Sequence, residues 1–342
     1  MSVGSSPKMK DVADRCGVSE STVSHALNGT KKVAAKTREK IEKAIADLNY
    51  HRDSDARRLA RGKSNFLGLI ISDIENPFYP GLIKAFETAA IEAGYEMLLC
   101  TTNYDPERTK SAFRKMIENK SPGVAVMTSR VDPKMVHHLA EQGIVSVFLD
   151  SGKPSPLKSN LRMDYTKGVR GAINYLYNLG HRDFALVAGP QNRASHVAYK
   201  KAVEQALKEW KLTPRVLEEN NNVEGGVQAV TVLLTEKRRP TAVLCSNDLT
   251  AMSVIRSFAK FGIRVPEDVS VVGADDIPFA ALTQPPLTTI RIPREQLGSV
   301  ALQILHEMLT KPAKTGTESI LETELVIRES TAMVSLKLDS NR

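Results

Sequence analysis

A chain of 342 residues, 42% of them hydrophobic, is too long for one ordinary core and has enough apolar side chain for two or three. Its three cysteines, Cys16, Cys100 and Cys245, are odd in number, far apart and set in apolar runs, which argues against a disulfide framework or a zinc site. Residues 1–65 hold 14 Lys/Arg against 8 Asp/Glu, whereas the other 277 hold 33 against 31, so most of the +8 formal charge sits in an N-terminal module suited to a polyanion or an acidic surface. The opening MSVGSSPKMK has no apolar core for a signal peptide, and no run approaches the ~18 residues that cross a bilayer. A cytoplasmic protein without a membrane partner or cofactor is expected, with residues 1–8 as a flexible leader.

In KDVADRC, Val12, Ala13 and Cys16 share one helical stripe, and Gly17 ends that helix at a turn. Ser19 can cap the next helix. There Val23, Ala26 and Leu27 fall at i, i+3, i+4 on one face, while Ser21, His25 and Asn28 fall at i, i+4, i+7 on another. AAKTREKIEKAIADLNY repeats the pattern with Ile41, Ala44, Ile45 and Leu48. Three short amphipathic helices, the first two joined by a tight glycine turn, describe a helix-turn-helix unit over residues 9–52. In that motif the second helix enters the major groove, which brings Glu20, Ser21, Thr22 and His25 to base edges. Serine and threonine serve either partner of a base pair, and His25 can donate to a purine acceptor. Glu20 is repelled by phosphates unless it accepts from a cytosine amino group, which would make it a specificity filter. The alternative is a merely solvated polar face, and the helices around it weigh against that.

In HRDSDARRLARGKSN, Asp53 or Ser54 can cap a short helix that Gly62 ends. Residues 53–63 are too few for a helix stable alone in water. Arg57, Arg58, Arg61 and Lys63 make the segment cationic, and Leu59, with no core to enter, suggests a wedge for a minor-groove step. A basic linker is the bland reading.

The run KDVADRCGVSESTVSHALNGTKKVAAKTREKIEKAIADLNY, followed by DARRLARG, resembles the DNA-binding headpiece and hinge helix of the lactose repressor/galactose repressor family of bacterial transcriptional regulators. The resemblance implies that Leu59 is the hinge wedge and that Lys10, Ser24, Asn28, Thr37, Arg57 and Arg58 join the four helix residues as DNA contacts. HRD at 51–53 departs from the usual proline and asparagine before the hinge.

From Phe66 the texture becomes apolar runs alternating with helical segments of 10 to 17 residues. FLGLIIS, YEMLLCTT, GVAVMTS, VSVFLD, FALVAG, TAVLCSND, VSVVGAD and TTIRIP are candidate strands of parallel sheets covered on both faces. Ligands on such sheets bind outside the carboxyl ends of the strands. That rule singles out Ser72, residues 76–79, Asp150, residues 189–196, residues 246–248 and residues 274–276. Phe78 and Tyr79 can stack on a ring, Asp150, Asn247 and Asp275 can bond hydroxyls and amines, and Arg193 and His196 stand nearby. The plain readings are core aromatics, a solvated loop, and an Asp275 that caps its turn.

IENPFY, SND, VPEDVSVVGADD and PPLTTIRIPREQLG are similar to the effector core of the same family, so the resemblance runs from about Met9 to Glu329. It implies an all-α headpiece plus an α/β two-lobed, periplasmic-binding-protein-like core with parallel sheets. The core spans residues 64–330, with a first lobe of about 64–163 and 292–325, a second of about 164–291 and 326–330, and a tail from 331 to 342. Sugar- or purine-binding members usually carry an arginine where this chain has Val197, Gly-aromatic where it has Ala202 and Val203, and an aromatic where it has Ala274. The implied protein is a homodimeric repressor of a pseudo-palindromic double-stranded operator, controlled by a small effector such as a sugar or related metabolite. Val197 keeps a protein co-regulator open as the alternative. An enzyme or a secreted sugar-binding protein is remote, because the neighbouring Asp275 and Asp276 point apart and no phosphate loop or nucleophile elbow exists.

Overall fold

The computed structural model describes residues 7–28, 31–50, 64–128, 131–150, 152–311 and 315–334, in two compact units spanning 1–63 and 64–342. The expected hinge helix at 53–63, with Arg57, Arg58 and Leu59, lies outside the described residues, as does the side chain of Asn28.

The first unit holds α1 (Met9–Cys16), α2 (Glu20–Asn28) and α3 (Ala35–Leu48). Gly17, at φ 64°, ends α1, and its amide donates to the Ala13 and Asp14 carbonyls. A left-handed residue there costs little only without a Cβ. Val12, Ala13, Cys16, Val23, Ile41, Ala44 and Tyr50 are buried together, with Ala26, Leu27, Ile45 and Leu48 packed against them. Lys40 Nζ donates to the Cys16 carbonyl at 3.1 Å, putting a cation at the negative end of α1.

The second unit alternates strand and helix: β1 (Phe66–Ile71), α4 (Tyr79–Glu92), β2 (Glu96–Thr101), α5 (Pro106–Glu118), β3 (Gly123–Met127), α6 (Pro133–Glu141), β4 (Val145–Leu149) and β5 (Lys158–Asp164). It continues with α7 (Thr166–Asn178), β6 (Phe184–Ala188), α8 (Ala194–Glu209), β7 (Arg215–Glu218), α9 (Val223–Thr235), β8 (Ala242–Cys245), α10 (Asp248–Lys260) and β9 (Ser270–Asp275). After a 3-10 helix at Pro278–Leu282 come β10 (Thr288–Arg291), α11 (Arg294–Thr310), β11 (Glu318–Glu322) and β12 (Glu324–Val326). Two six-stranded sheets result among the described residues, ordered β11-β5-β4-β3-β1-β2 and β12-β10-β9-β8-β6-β7. Every pair in them is parallel except β10 with β12.

Period-two alternation buries both faces of each sheet. On β1, Leu67, Leu69 and Ile71 join the cluster containing Phe86 and Leu302, while Ile70 joins Phe113, Met116 and Phe148 on the opposite face. α11 approaches α4 so closely at Gly298 that a Cβ would stand 2.3 Å from the Leu82 carbonyl oxygen.

The chain crosses between lobes at Tyr165, Ile292 and Thr323. Thr323 Oγ1 donates to the Asp164 carbonyl at 3.1 Å and accepts from the Gly168 amide at 3.3 Å, tying two crossings together. The last crossing thus falls two residues before the expected 325, because Leu325 pairs with Ile290 in the second sheet. The expected tail from 331 also needs correction. The Ala332 carbonyl accepts from His181 Nε2 at 3.0 Å and the Val334 amide donates to the Leu179 carbonyl at 2.9 Å, so residues 331–334 continue along the second lobe.

Candidate functional site

Two surfaces collect the residues that sequence reasoning selected. On α2, Glu20 and Ser21 are exposed, and Thr22, Ser24 and His25 are half-buried above the Val23 stripe. Ser19 Oγ caps the helix by accepting from the Thr22 amide at 3.2 Å. The same oxygen lies 2.8 Å from Ser21 Oγ and 2.9 Å from Thr22 Oγ1, so three hydroxyls meet at the positive end of the helix. Lys10 is exposed on α1, and Thr37 is half-buried in the first turn of α3.

In the second unit the strand ends of both lobes face one cavity of about 110 Å³. Ser72, Phe78, Tyr79, Asp150, Arg193, His196 and Asp275 all line it. Phe78 and Tyr79 meet edge to face at 5.3 Å, which leaves ring surface turned to the cavity. The Tyr79 and Tyr104 hydroxyls hydrogen-bond at Ser72, whose Oγ donates to Thr128 Oγ1 at 3.0 Å. Asn247 is the exception among the expected contacts and does not line the cavity. Its Oδ1 accepts from the Thr250 amide at 2.8 Å and its Nδ2 donates to the Asn221 carbonyl at 2.9 Å, so both ends of the amide are spent capping α10 and holding the neighbouring loop.

The acids differ sharply. Asp150, with a left-handed φ of 50°, accepts from the Met163 amide at 2.9 Å through Oδ1, while its buried Oδ2 has no hydrogen-bond partner. Burial pushes its carboxyl up to about 6. Asp275 is 9% exposed, and burial followed by the charge of Asp248 holds it well above the usual carboxylate range. Its neighbour Asp276 points the other way, as adjacent strand-end residues must. It accepts from Arg291 Nε at 2.7 Å and Arg328 Nη2 at 2.6 Å; burial alone would raise it, but these two cations hold it below the usual range.

Little positive charge faces the cavity. The Arg193 guanidinium lies 3.6 Å over the Tyr104 ring, a cation–π contact between the lobes. His196 Nδ1 donates to the Pro190 carbonyl at 3.1 Å, its Nε2 lies 3.4 Å from Asn221 Nδ2, and burial lowers its pKa to about 4, so the ring is neutral. Gly189 makes room for it, since a Cβ there would stand 2.5 Å from Nδ1. Val197 is 45% exposed and outside the lining, as Ala202 and Val203 are within the core packing.

Sequence reasoning missed Tyr104, Thr128, Tyr165, Tyr199 and Asn221, while Ser246 belongs to the stretch 246–248 that the strand-end rule selected. Thr128 directly follows β3, where the same strand-end rule reaches it. Tyr199 is four residues after Ser195 on α8, a spacing that reads as core. A second cavity of about 710 Å³ shares Tyr104, Thr128 and Arg193 with the first. Among the described residues no group of three or more His, Cys, Asp or Glu side chains could hold a metal ion, and no helix is long and apolar enough to cross a membrane.

A helix-turn-helix unit joined to a two-lobed α/β body with an interlobe cleft defines a class of DNA-binding transcriptional regulators. Residues 8–53 match the bacterial regulatory proteins of the lacI family, and residues 173–331 match a periplasmic binding protein-like domain. The HTH-type transcriptional repressor PurR of Photobacterium profundum is 32% identical over 326 residues, 94% of this chain and 98% of the relative. A crystal structure of the Lac repressor dimer bound to operator and the anti-inducer ONPF superposes with a TM-score of 0.86 at 28% identity, over 95% of this chain and 99% of that one. The transcriptional regulator CelR in complex with cellobiose gives a TM-score of 0.72 at 29% identity, with the same coverage of both chains. The chain belongs to the lacI family of bacterial regulatory proteins. The PurR and Lac repressor relatives are transcriptional repressors rather than enzymes.

Proposed function

We propose that this repressor binds a pseudo-palindromic operator as a homodimer and is controlled by a small molecule in the interlobe cleft. The observation that carries the first half is the polar face of α2, mounted on a stripe packed against α1 and α3. Glu20, Ser21, Thr22, Ser24, His25 and Asn28 read base edges, while Lys10 and Thr37 hold phosphates. Beyond the described residues, Arg57 and Arg58 meet the DNA backbone and Leu59 pries a minor-groove base step. Dimerisation is supported by exposed apolar side chains, Phe279 and Leu282 after β9 and Val223 and Val227 on α9, which a second copy would cover. Such a protein works on DNA in the bacterial cytoplasm.

Control by a sugar or related metabolite is supported by the cleft, lined from both lobes by aromatic rings and carboxylates. A ligand that prefers one arrangement of the lobes shifts operator affinity by that preference and no more. The exposed Val197, where related effector sites carry arginine, is the observation favouring a protein co-regulator instead. The test is operator binding by the full chain, by fluorescence anisotropy, with bend angle read by circular permutation. Leu59→Ala is expected to weaken specific binding and reduce the bend; an unchanged bend angle removes the wedge role.

A further inference from the structure

Two carboxylates in the cleft have acceptor oxygens without hydrogen-bond partners among the described residues. Asp150 Oδ2 is buried without a hydrogen bond, and no described residue donates to the Asp275 carboxylate, which is nine-tenths buried at the end of β9 with φ 114°. A non-glycine residue at that φ stores strain, and such strain gathers at binding sites. The charges of Arg294 and Arg162 reach Asp275 and Asp150, but neither guanidinium donates to these carboxylates. Arg294 Nε pairs with Glu295 at 3.1 Å and its guanidinium donates to the Asp275 and Asp276 carbonyls, while Arg162 lies 3.7 Å from Glu318. Arg193 rests on Tyr104, and His196 is neutral.

We propose that the cleft takes a small ligand bearing a protonated amine, held between Asp150 of the first lobe and Asp275 of the second. The proposal rests on the reading of the body as an effector-binding core. An anionic ligand meets two carboxylates and one cation, Arg193, whose guanidinium rests on Tyr104. A neutral polyol supplies donors but leaves the Asp150 charge uncompensated, which is costly away from water, and gives the Asp275 carboxyl, held well above the usual range, no cation to ionise against. An ammonium supplies donors and charge together, and the Tyr165 and Tyr199 rings, edge to face at 5.6 Å, add a wall that favours a cation. Because the acids come from different lobes, the same cation draws the lobes together. The inner cavity of about 110 Å³ admits one compact group, and the 710 Å³ cavity beyond Tyr104 has room for the rest.

The test is thermal unfolding and calorimetry of the full chain with probe pairs that differ in ionisation: glucosamine against glucose and N-acetylglucosamine, and putrescine against 1,4-butanediol. An amine is expected to raise Tm and bind at least tenfold more tightly than its neutral counterpart, and Asp150→Asn and Asp275→Asn are each expected to lose that tenfold. Both variants are near-isosteric, and a cooperative thermal transition of the body in the absence of any probe checks that they fold. Glucose or butanediol binding as tightly as the amine overturns the inference while leaving the effector reading intact. Stabilisation by none of the probes overturns it too, and operator binding then stands as the separate check on the regulator itself.

Discussion

On α2, Glu20 and Ser21 stand in water above a stripe that forms the headpiece core, whereas in the cleft Asp150 and Asp275 are withdrawn from water with acceptor sites unfilled. The two regions hold their binding groups in opposite energetic states. A solvated face costs little until DNA displaces its water, so changes there act on recognition. A desolvated carboxylate burdens folding itself, so changes in the cleft move stability and binding in opposite directions.

The largest effect separates the two units. Ile41→Ala opens a cavity in the small headpiece core and is expected to cost about 2–5 kcal/mol there. Operator binding is then lost while hydrogen exchange in residues 64–342 is unchanged; loss of protection in the body would erase the distinction. Next comes Asp150. Its folded pKa of about 6 lies above the ordinary carboxylate value, so the folded state binds a proton more tightly and wild-type stability falls as pH rises from about 4 to 6. Asp150→Asn keeps an oxygen for the Met163 amide and is expected to match wild type below pH 4, then exceed it by about 2–3 kcal/mol above pH 6. His196, held near 4 by burial, works in the opposite sense over much of that range, so the difference between variant and wild type is the quantity to measure. His25→Ala comes third, with no stability change beyond about 0.5 kcal/mol and a loss of ~1–3 kcal/mol on the preferred operator. Equal weakening on all sequences would show that His25 reads no base. Smallest is Glu20→Gln, expected to raise non-specific affinity by a few tenths of a kcal/mol at low salt and relax preference at one base pair, as competition binding would report.

The same contrast governs how much was legible in the sequence. The headpiece stripes are short-range patterns, and Val12, Ala13, Cys16, Val23 and Ile41 all enter its core. Eight body strands read as apolar runs, whereas β5, β7, β11 and β12 do not. β5 buries Ser159 and Asn160, whose polar atoms are satisfied by Thr317 and Glu318 from 158 residues away, and no local pattern announces that partnership. The strand-end rule found most of the cleft because topology, rather than pattern, puts Asp150 and Asp275 there. It overreached at Asn247, whose capping role looks the same in sequence as a ligand contact, and it passed over Tyr104, at φ 59° beyond the end of β2.

In the proposed repressor, two copies of α2 read two related half-sites. Selection of operators by the full chain from randomised duplexes tests it most directly, followed by binding to the selected site with one half scrambled. The prediction is a two-fold-related consensus and at least about a 10³-fold loss on scrambling, the lower end of the usual gap between specific and non-specific binding. An asymmetric consensus, or equal binding to intact and scrambled duplexes, would contradict it.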